Sequence, residues 1–189
     1  FKISYDLDDE TNPDDALGVA ELGWTEMELG RASDAKREFN RALRLKPGLV
    51  RAYEGLVSLS LRQFRYDEAI DVASSMAVAN PKSAVAHRTL GDAYRAASRR
   101  SDAEAAYRRS ISIDPNDARS HAALGDTMLV RRKSEDAARE FAEAVRLENL
   151  GVELAEDLLL VEVRRADRHL LARTGVAGGE PAGRKPGAG

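Results

Sequence analysis

Histidine is the side chain in this sequence best suited to bind a metal or act as a general base, and it occurs at His87, His121 and His169. His87 and His121 occupy the same position in successive units of a repeat described below. Equivalent positions in neighbouring helix pairs lie about 9–10 Å apart, too far to share a metal ligated at about 2 Å. We therefore expect both histidines to pack between helices, with no metal and no cofactor.

The other residue types form no catalytic pattern. The sequence has no cysteine, which excludes thiolate nucleophiles, disulfides and cysteine-ligated zinc. It has no glycine-rich phosphate loop and no nucleophile elbow, and its many carboxylates have the spacing of solvated faces on amphipathic helices. The sequence predicts that this chain is not an enzyme.

The charge of the chain is mildly acidic, with a formal net charge of -3, and residues 1–15 alone carry -5. A nucleic-acid-binding domain would be expected to be basic. No apolar run approaches the roughly 20 residues that cross a bilayer. We expect neither nucleic-acid binding nor membrane insertion.

Basic residues recur at predicted turns, at Arg31, Arg65, Arg99–Arg100 and 131–133. They could form a positive edge that attracts an acidic partner or a phosphate. They could equally be solvated turn residues. The sequence leaves both interpretations open.

A fixed period of about 34 residues organises most of the chain, and such a period indicates a helical repeat array. Glycine in one column removes the side chain where two helices approach most closely, and alanine in another admits the neighbouring helix. Ser33, Asp67 and Ser101 are predicted to cap the second helices. The columns are Pro13, Pro47, Pro81 and Pro115; Leu22, Leu56, Leu90 and Leu124; Gly23, Val57, Gly91 and Gly125; Ala35, Ala69, Ala103 and Ala137; Phe39, Ala73, Tyr107 and Phe141.

These columns resemble the tetratricopeptide repeat, whose unit is a helix-turn-helix of about 34 residues. The resemblance implies an all-α fold, a right-handed α-solenoid with repeats at 16–49, 50–83, 84–117 and 118–151. The second repeat departs from the pattern, because Val57 replaces the glycine and Ala73 the aromatic residue. We expect Phe64 or Tyr66 to fill the volume left at Ala73.

The segments outside the repeats have different compositions. Residues 1–15 are predicted to be an acidic arm or a truncated repeat. Residues 152–173 are predicted to form a helix that caps the last repeat, with enough apolar surface for self-association into a homo-oligomer. Residues 174–189 are rich in glycine and proline and are predicted to be a flexible tail.

The family resemblance also implies a site, because such repeats usually hold a peptide in a groove lined by their first helices. Trp24, the only tryptophan, is expected to face that groove, with residues 1–11 folding back over it as the alternative. Charged side chains, among them Glu54 and Asp92, share the groove with apolar ones, so it is mixed rather than polar throughout. The predicted contact residues are Trp24, Met27, Arg51, Leu61, Arg62, Arg88, Arg95, Arg119 and Leu129.

The leading functional hypothesis is a non-catalytic scaffold or adaptor that binds a protein or peptide partner. The alternatives are a self-associating assembly module that uses residues 152–173 and a regulatory module of a larger enzyme. The excess of arginine over lysine suggests a bacterial protein. A cytoplasmic location is expected, or a periplasmic one if a signal sequence lies upstream.

Overall fold

The structure, a computed structural model, describes residues 15–149, and within that range it is entirely helical. The helices follow one another in antiparallel pairs, and each pair packs against the next. The predicted all-α solenoid is therefore confirmed for this part of the chain. The helices are α1 (Ala16–Glu28), α2 (Ala32–Leu45), α3 (Val50–Arg62), α4 (Tyr66–Ala79), α5 (Ala84–Ala96), α6 (Arg100–Ile113), α7 (Ala118–Val130) and α8 (134–149).

A residue in the left-handed region of backbone conformation lies two positions after the end of each first helix. The four residues occupy one repeat position, and their φ angles are +75° at Gly30, +59° at Phe64, +61° at Ser98 and +60° at Arg132. A left-handed residue lets the chain close the last helical turn and reverse direction. The four reversals have the same geometry, so the repeats stack in the same way.

The predicted caps of the second helices are wrong. Helices α2, α4 and α6 begin directly after Arg31, Arg65 and Arg99, and none of these N-terminal residues caps its helix with a side chain. Ser33 and Ser101 lie inside the first turn instead. The left-handed residue completes the reversal so quickly that the helix starts two residues earlier than its polar residues suggest.

The glycine and aromatic columns pack against each other in the first, third and fourth repeats. A Cβ atom added to Gly23 would lie 2.7 Å from the Phe39 ring, and one added to Gly91 would lie 2.5 Å from the Tyr107 ring. Both distances are far below van der Waals contact, so a larger residue would force the ring or the helices to move. The glycines therefore set the distance between paired helices.

The second repeat fills its core differently from the prediction. Val57 and Ala73 are both buried in one cluster, so the larger residue has moved from the second helix to the first. Phe64 is 77% exposed and Tyr66 is 37% exposed, and the two rings contact each other edge to face at 6.4 Å. The prediction that either ring fills the core is wrong, because the left-handed backbone at Phe64 directs that side chain outward.

The chain has other segments for which predictions were made. Most of the acidic arm at 1–15, the capping helix at 152–173 and the tail at 174–189 lie outside the described residues. Among the helices of residues 15–149, none is long and apolar enough to cross a membrane.

Candidate functional site

The first helices of the repeats form one continuous surface. Helix α3 packs against both α1 and α5, and α5 packs against α7. We call the outward-facing residues of these four helices the first-helix face. All nine predicted contact residues belong to these helices.

Trp24 is half-buried on this face and is held in place from three directions. Its indole Nε1 donates a hydrogen bond of 3.2 Å to the Arg51 carbonyl oxygen. The Arg51 guanidinium lies 4.3 Å from the centre of the indole, a cation–π arrangement. On the core side, the Phe39 ring meets it edge to face at 5.8 Å. Trp24 thus belongs partly to the core and partly to the first-helix face.

The apolar positions on the face differ in accessibility. Met27, Leu61 and Leu129 share one repeat position, but Met27 is only 4% exposed whereas Leu129 is 48% exposed. Leu61 is half-buried against the second core cluster. Met27 is unbranched and flexible and bends onto the core, so its prediction as a direct contact residue is corrected to a supporting one.

Ion pairs join the first helices of the first two repeats. The Glu21 carboxylate accepts two hydrogen bonds from Arg51, of 2.7 Å and 3.0 Å. The Glu28 carboxylate accepts one of 2.7 Å from Arg62, at the opposite end of the same helices. The hydrogen bond from Arg51 lowers the pKa of Glu21 below its ordinary 4.5. Arg51 and Arg62 are therefore already paired within the chain.

In the third repeat, Tyr107 controls the charged groups. Its hydroxyl donates a hydrogen bond of 2.8 Å to Asp92 and accepts one of 3.2 Å from Arg95 Nε. Burial raises the pKa of this hydroxyl well above its ordinary 10.0, as does the nearby Asp92 charge. The neutral hydroxyl holds Arg95 in a defined position on the face.

Arg88 connects α5 to the residue directly before α7. Its guanidinium donates a hydrogen bond of 2.7 Å to Asp117, which also accepts one of 2.7 Å from Ser120. Burial works against ionisation of Asp117, but the Ser120 hydrogen bond and Arg88 outweigh it and hold the pKa below 3.8. This pair is more enclosed than the pairs on α1 and α3.

Glu54 lies among three arginines on this face. It follows Arg51 by one turn on α3 and occupies the same repeat position as Arg88 on α5. Burial raises the pKa of Glu54 above 4.5, and the charges of Arg51, Arg88 and Arg119 oppose that rise. The sequence places Glu54 in the groove, but Glu54 was not among the predicted contact residues. The signal that could have identified it is the change from an acidic residue at 54 to a basic one at 88 in the same repeat position.

One basic residue at each turn has a carboxylate partner, and these four residues occupy one repeat position. Arg31 pairs with Glu26 at 3.1 Å, Arg65 with Glu68 at 3.3 Å, Arg99 with Asp102 at 2.7 Å, and Lys133 with Glu104 at 3.0 Å. The pairs at the first three turns favour the interpretation as solvated turns. The last turn keeps an excess of positive charge, because Glu104 is shared by Arg108, Arg131 and Lys133.

The two described histidines contact the turns between repeats. The Nε2 atom of His87 lies 3.2 Å from the Pro81 carbonyl oxygen, and that of His121 lies 3.1 Å from the Pro115 carbonyl oxygen. His121 Nδ1 also lies 2.7 Å from Glu140. Residues 15–149 contain no group of three potential metal ligands.

Comparison with protein families found two matching models, both described as tetratricopeptide repeat. One matches residues 20–84 and the other residues 60–127. Together they span 20–127, which is more than half of the chain. The comparison with curated proteins found no match.

Solved structures of similar fold include several of MamA. A crystal structure of MamA is 25% identical, has a TM-score of 0.62, and matches over 75% of this chain and 83% of its own. A second crystal structure of MamA protein is also 25% identical, with a TM-score of 0.59, over 75% and 77% of the two chains. MamA from Desulfovibrio magneticus RS-1, from residue 41 to its end, is 24% identical, with a TM-score of 0.60, over 74% and 77%. The last likeness concerns the fold alone.

Proposed function

The chain belongs to the tetratricopeptide repeat family, and from that premise we propose that it is a non-catalytic adaptor that binds an extended peptide segment of a partner protein along its first-helix face. Membership of the family supports a role in protein–protein interaction. The choice of this face and of a peptide ligand rests on the arrangement of its side chains.

One observation carries the proposal: side chains on the first-helix face are fixed before any partner binds. Trp24 is held by Arg51, and Arg95 is held by Tyr107. Binding to side chains that are already fixed costs less conformational entropy than binding to side chains that the ligand must first order. Half-buried Trp24 on α1 and exposed Leu129 on α7 offer apolar area on either side of these fixed charges.

Self-association and attachment to an enzyme remain hypotheses that concern residues outside 15–149. The chain could belong to a larger assembly in either case. The peptide hypothesis can be tested on the chain as it is.

The test is to isolate partners from a native lysate, identify the bound segment, and measure its affinity for variants of the full chain. We expect Trp24→Ala and Leu129→Glu each to weaken binding about tenfold or more, because apolar groups at an interface centre contribute most of the affinity. Val78→Ser, on the exposed surface of α4, is the matched control and should bind as the wild type does. Circular dichroism would verify that all variants remain folded.

Trp24→Ala also removes contacts with the core, so its loss of binding must be read together with Leu129→Glu, which leaves the core unchanged. Full affinity in Leu129→Glu and in folded Trp24→Ala would contradict binding at this face.

A further inference from the structure

The charges of the first-helix face are unequally compensated within residues 15–149. Glu21 neutralises Arg51 through two hydrogen bonds, and Asp117 neutralises Arg88 through one. In this part of the chain, Glu54 forms no hydrogen bond or ion pair within 4 Å. Of the three arginines whose charges act on Glu54, Arg51 and Arg88 are paired with other carboxylates, whereas Arg119, exposed on α7, forms no ion pair within residues 15–149.

Glu54 has lost part of its hydration without gaining a close partner. It is half-buried, and its burial disfavours the charged form. A partly desolvated carboxylate gains more from a ligand's hydrogen-bond donor than a fully hydrated one does. Glu54 is thus a place where a ligand can add an interaction that the free protein lacks.

The surrounding charges restrict which ligand can do so. A uniformly basic segment would meet the charge of Arg119, and a uniformly acidic one would meet that of Glu54. Like charges brought together at an interface oppose binding and exclude wrong partners. A segment with one charge of each sign avoids both conflicts.

Resting on the proposed function, we infer that Glu54 and Arg119 are the specificity-determining pair of the first-helix face and that they select a peptide carrying a basic and an acidic side chain. The basic side chain pairs with Glu54 and the acidic one with Arg119. Neighbouring helices are about 8–10 Å apart, so two such spacings separate α3 from α7 by at most about 20 Å. An extended chain covers that distance in about six residues.

The experiment selects binders from a displayed library of random peptides about twelve residues long, twice the required span. The targets are the full chain and its variants Glu54→Gln and Arg119→Gln. Two controls carry the same chemical changes at exposed positions on second helices, Glu135→Gln on α8 and Arg109→Gln on α6. Wild type and both controls are expected to enrich peptides with paired opposite charges. Glu54→Gln should lose the preference for the basic residue, and Arg119→Gln the preference for the acidic one.

A synthetic peptide chosen from the wild-type selection then measures the energetic coupling between Glu54 and the basic residue of the peptide. Replacing its basic residue by glutamine should weaken binding to the wild type about five- to tenfold and leave binding to Glu54→Gln nearly unchanged. Enriched peptides without paired charges, or an identical preference in Glu54→Gln, would overturn this inference while leaving peptide binding intact. If the wild type enriches no peptide, the proposed function fails as well.

Discussion

Tyr107 illustrates how a single hydroxyl group can organise a binding face. Phenylalanine occupies the same column at Phe39 and Phe141, so the ring alone is sufficient for packing. The added hydroxyl oxygen is buried with the ring, and there it binds Asp92 and Arg95 of α5. The hydroxyl therefore fixes the Arg95 guanidinium in the third repeat while the ring packs in the core as phenylalanine does in the first and fourth repeats.

We predict that Tyr107→Phe lowers the free energy of unfolding by about 1 kcal/mol at pH 8, because two hydrogen bonds are lost while the ring remains. The pKa of Tyr107 is raised above 10.0 in the folded chain by burial first and by Asp92 second. A group whose pKa is raised on folding stabilises the protein below its unfolded pKa and loses that contribution as the pH rises. The difference between wild type and variant should therefore narrow between about pH 9 and pH 11.

Urea denaturation at pH 8 and at pH 11 is the measurement. Tyr66→Phe, which removes a hydroxyl at the exposed edge of α4, is the control and should leave the unfolding free energy at pH 8 unchanged. A Tyr107→Phe variant as stable as the wild type at pH 8 would show that the hydroxyl network contributes nothing.

Among the helix pairs, the second repeat carries a compensated exchange of large and small residues. The first and third repeats pair glycine on the first helix with an aromatic ring on the second. The second repeat pairs Val57 with Ala73, and Thr89 is buried at the corresponding position of the next first helix. In the third repeat, Gly91, Tyr107 and Ala123 occupy these three places.

We predict that Ala73→Phe alone lowers the free energy of unfolding by about 1–3 kcal/mol, because the new ring overpacks Val57 and Thr89. The triple variant Val57→Gly, Ala73→Phe, Thr89→Ala recreates the third-repeat arrangement and should recover most of the loss. Urea denaturation followed by circular dichroism measures both. If the triple variant is no more stable than Ala73→Phe, the three positions are not coupled as described.

The sequence predicted the array well because each inter-helix contact recurs once in every repeat, so the columns are readable without coordinates. It failed at Phe64 and at Ser33, where a left-handed residue changes the direction of the chain; Gly30 announces such a residue, but Phe64 does not. It failed at Met27 because a flexible side chain at the edge of the buried stripe can turn inward. Pairings such as that of Arg88 with Asp117 depend on the register between helices and could not be read from spacing alone.

At the scale of the whole molecule, ion pairs add to the apolar packing between the first and second repeats and between the third and fourth. Within residues 15–149, no such pair joins the second repeat to the third, and that interface depends on packing of α3 and α4 against α5. Glu104 is the most buried of the charged groups in residues 15–149, and it binds Arg131 and Lys133 from the following repeat. In repeat arrays, stability is roughly a sum of terms for single repeats and for neighbouring interfaces. The further pairs between repeats are Glu21–Arg51, Glu28–Arg62 and Lys36–Glu68, all between the first repeat and the second.

These ion pairs, together with the packing of α3 against α1 and α5 and of α5 against α7, keep neighbouring first helices in register. An extended ligand needs that register if it is to contact several repeats at once. The first-helix face then acts as one surface. Binding at any of its helices would be expected to stabilise its neighbours, because each interface contributes to the stability of both repeats.

The most direct test of the central claim is amide hydrogen exchange of the full chain with and without a peptide selected by the wild type. Amides in local structure that the ligand stabilises should exchange more slowly. We predict slower exchange in α1, α3, α5 and α7, with the strongest effect in α3, α5 and α7. Amides on the outer surfaces of α2, α4 and α6 should change little. Protection confined to the second helices, or to residues outside 15–149, would contradict the assignment of the first-helix face as the binding site.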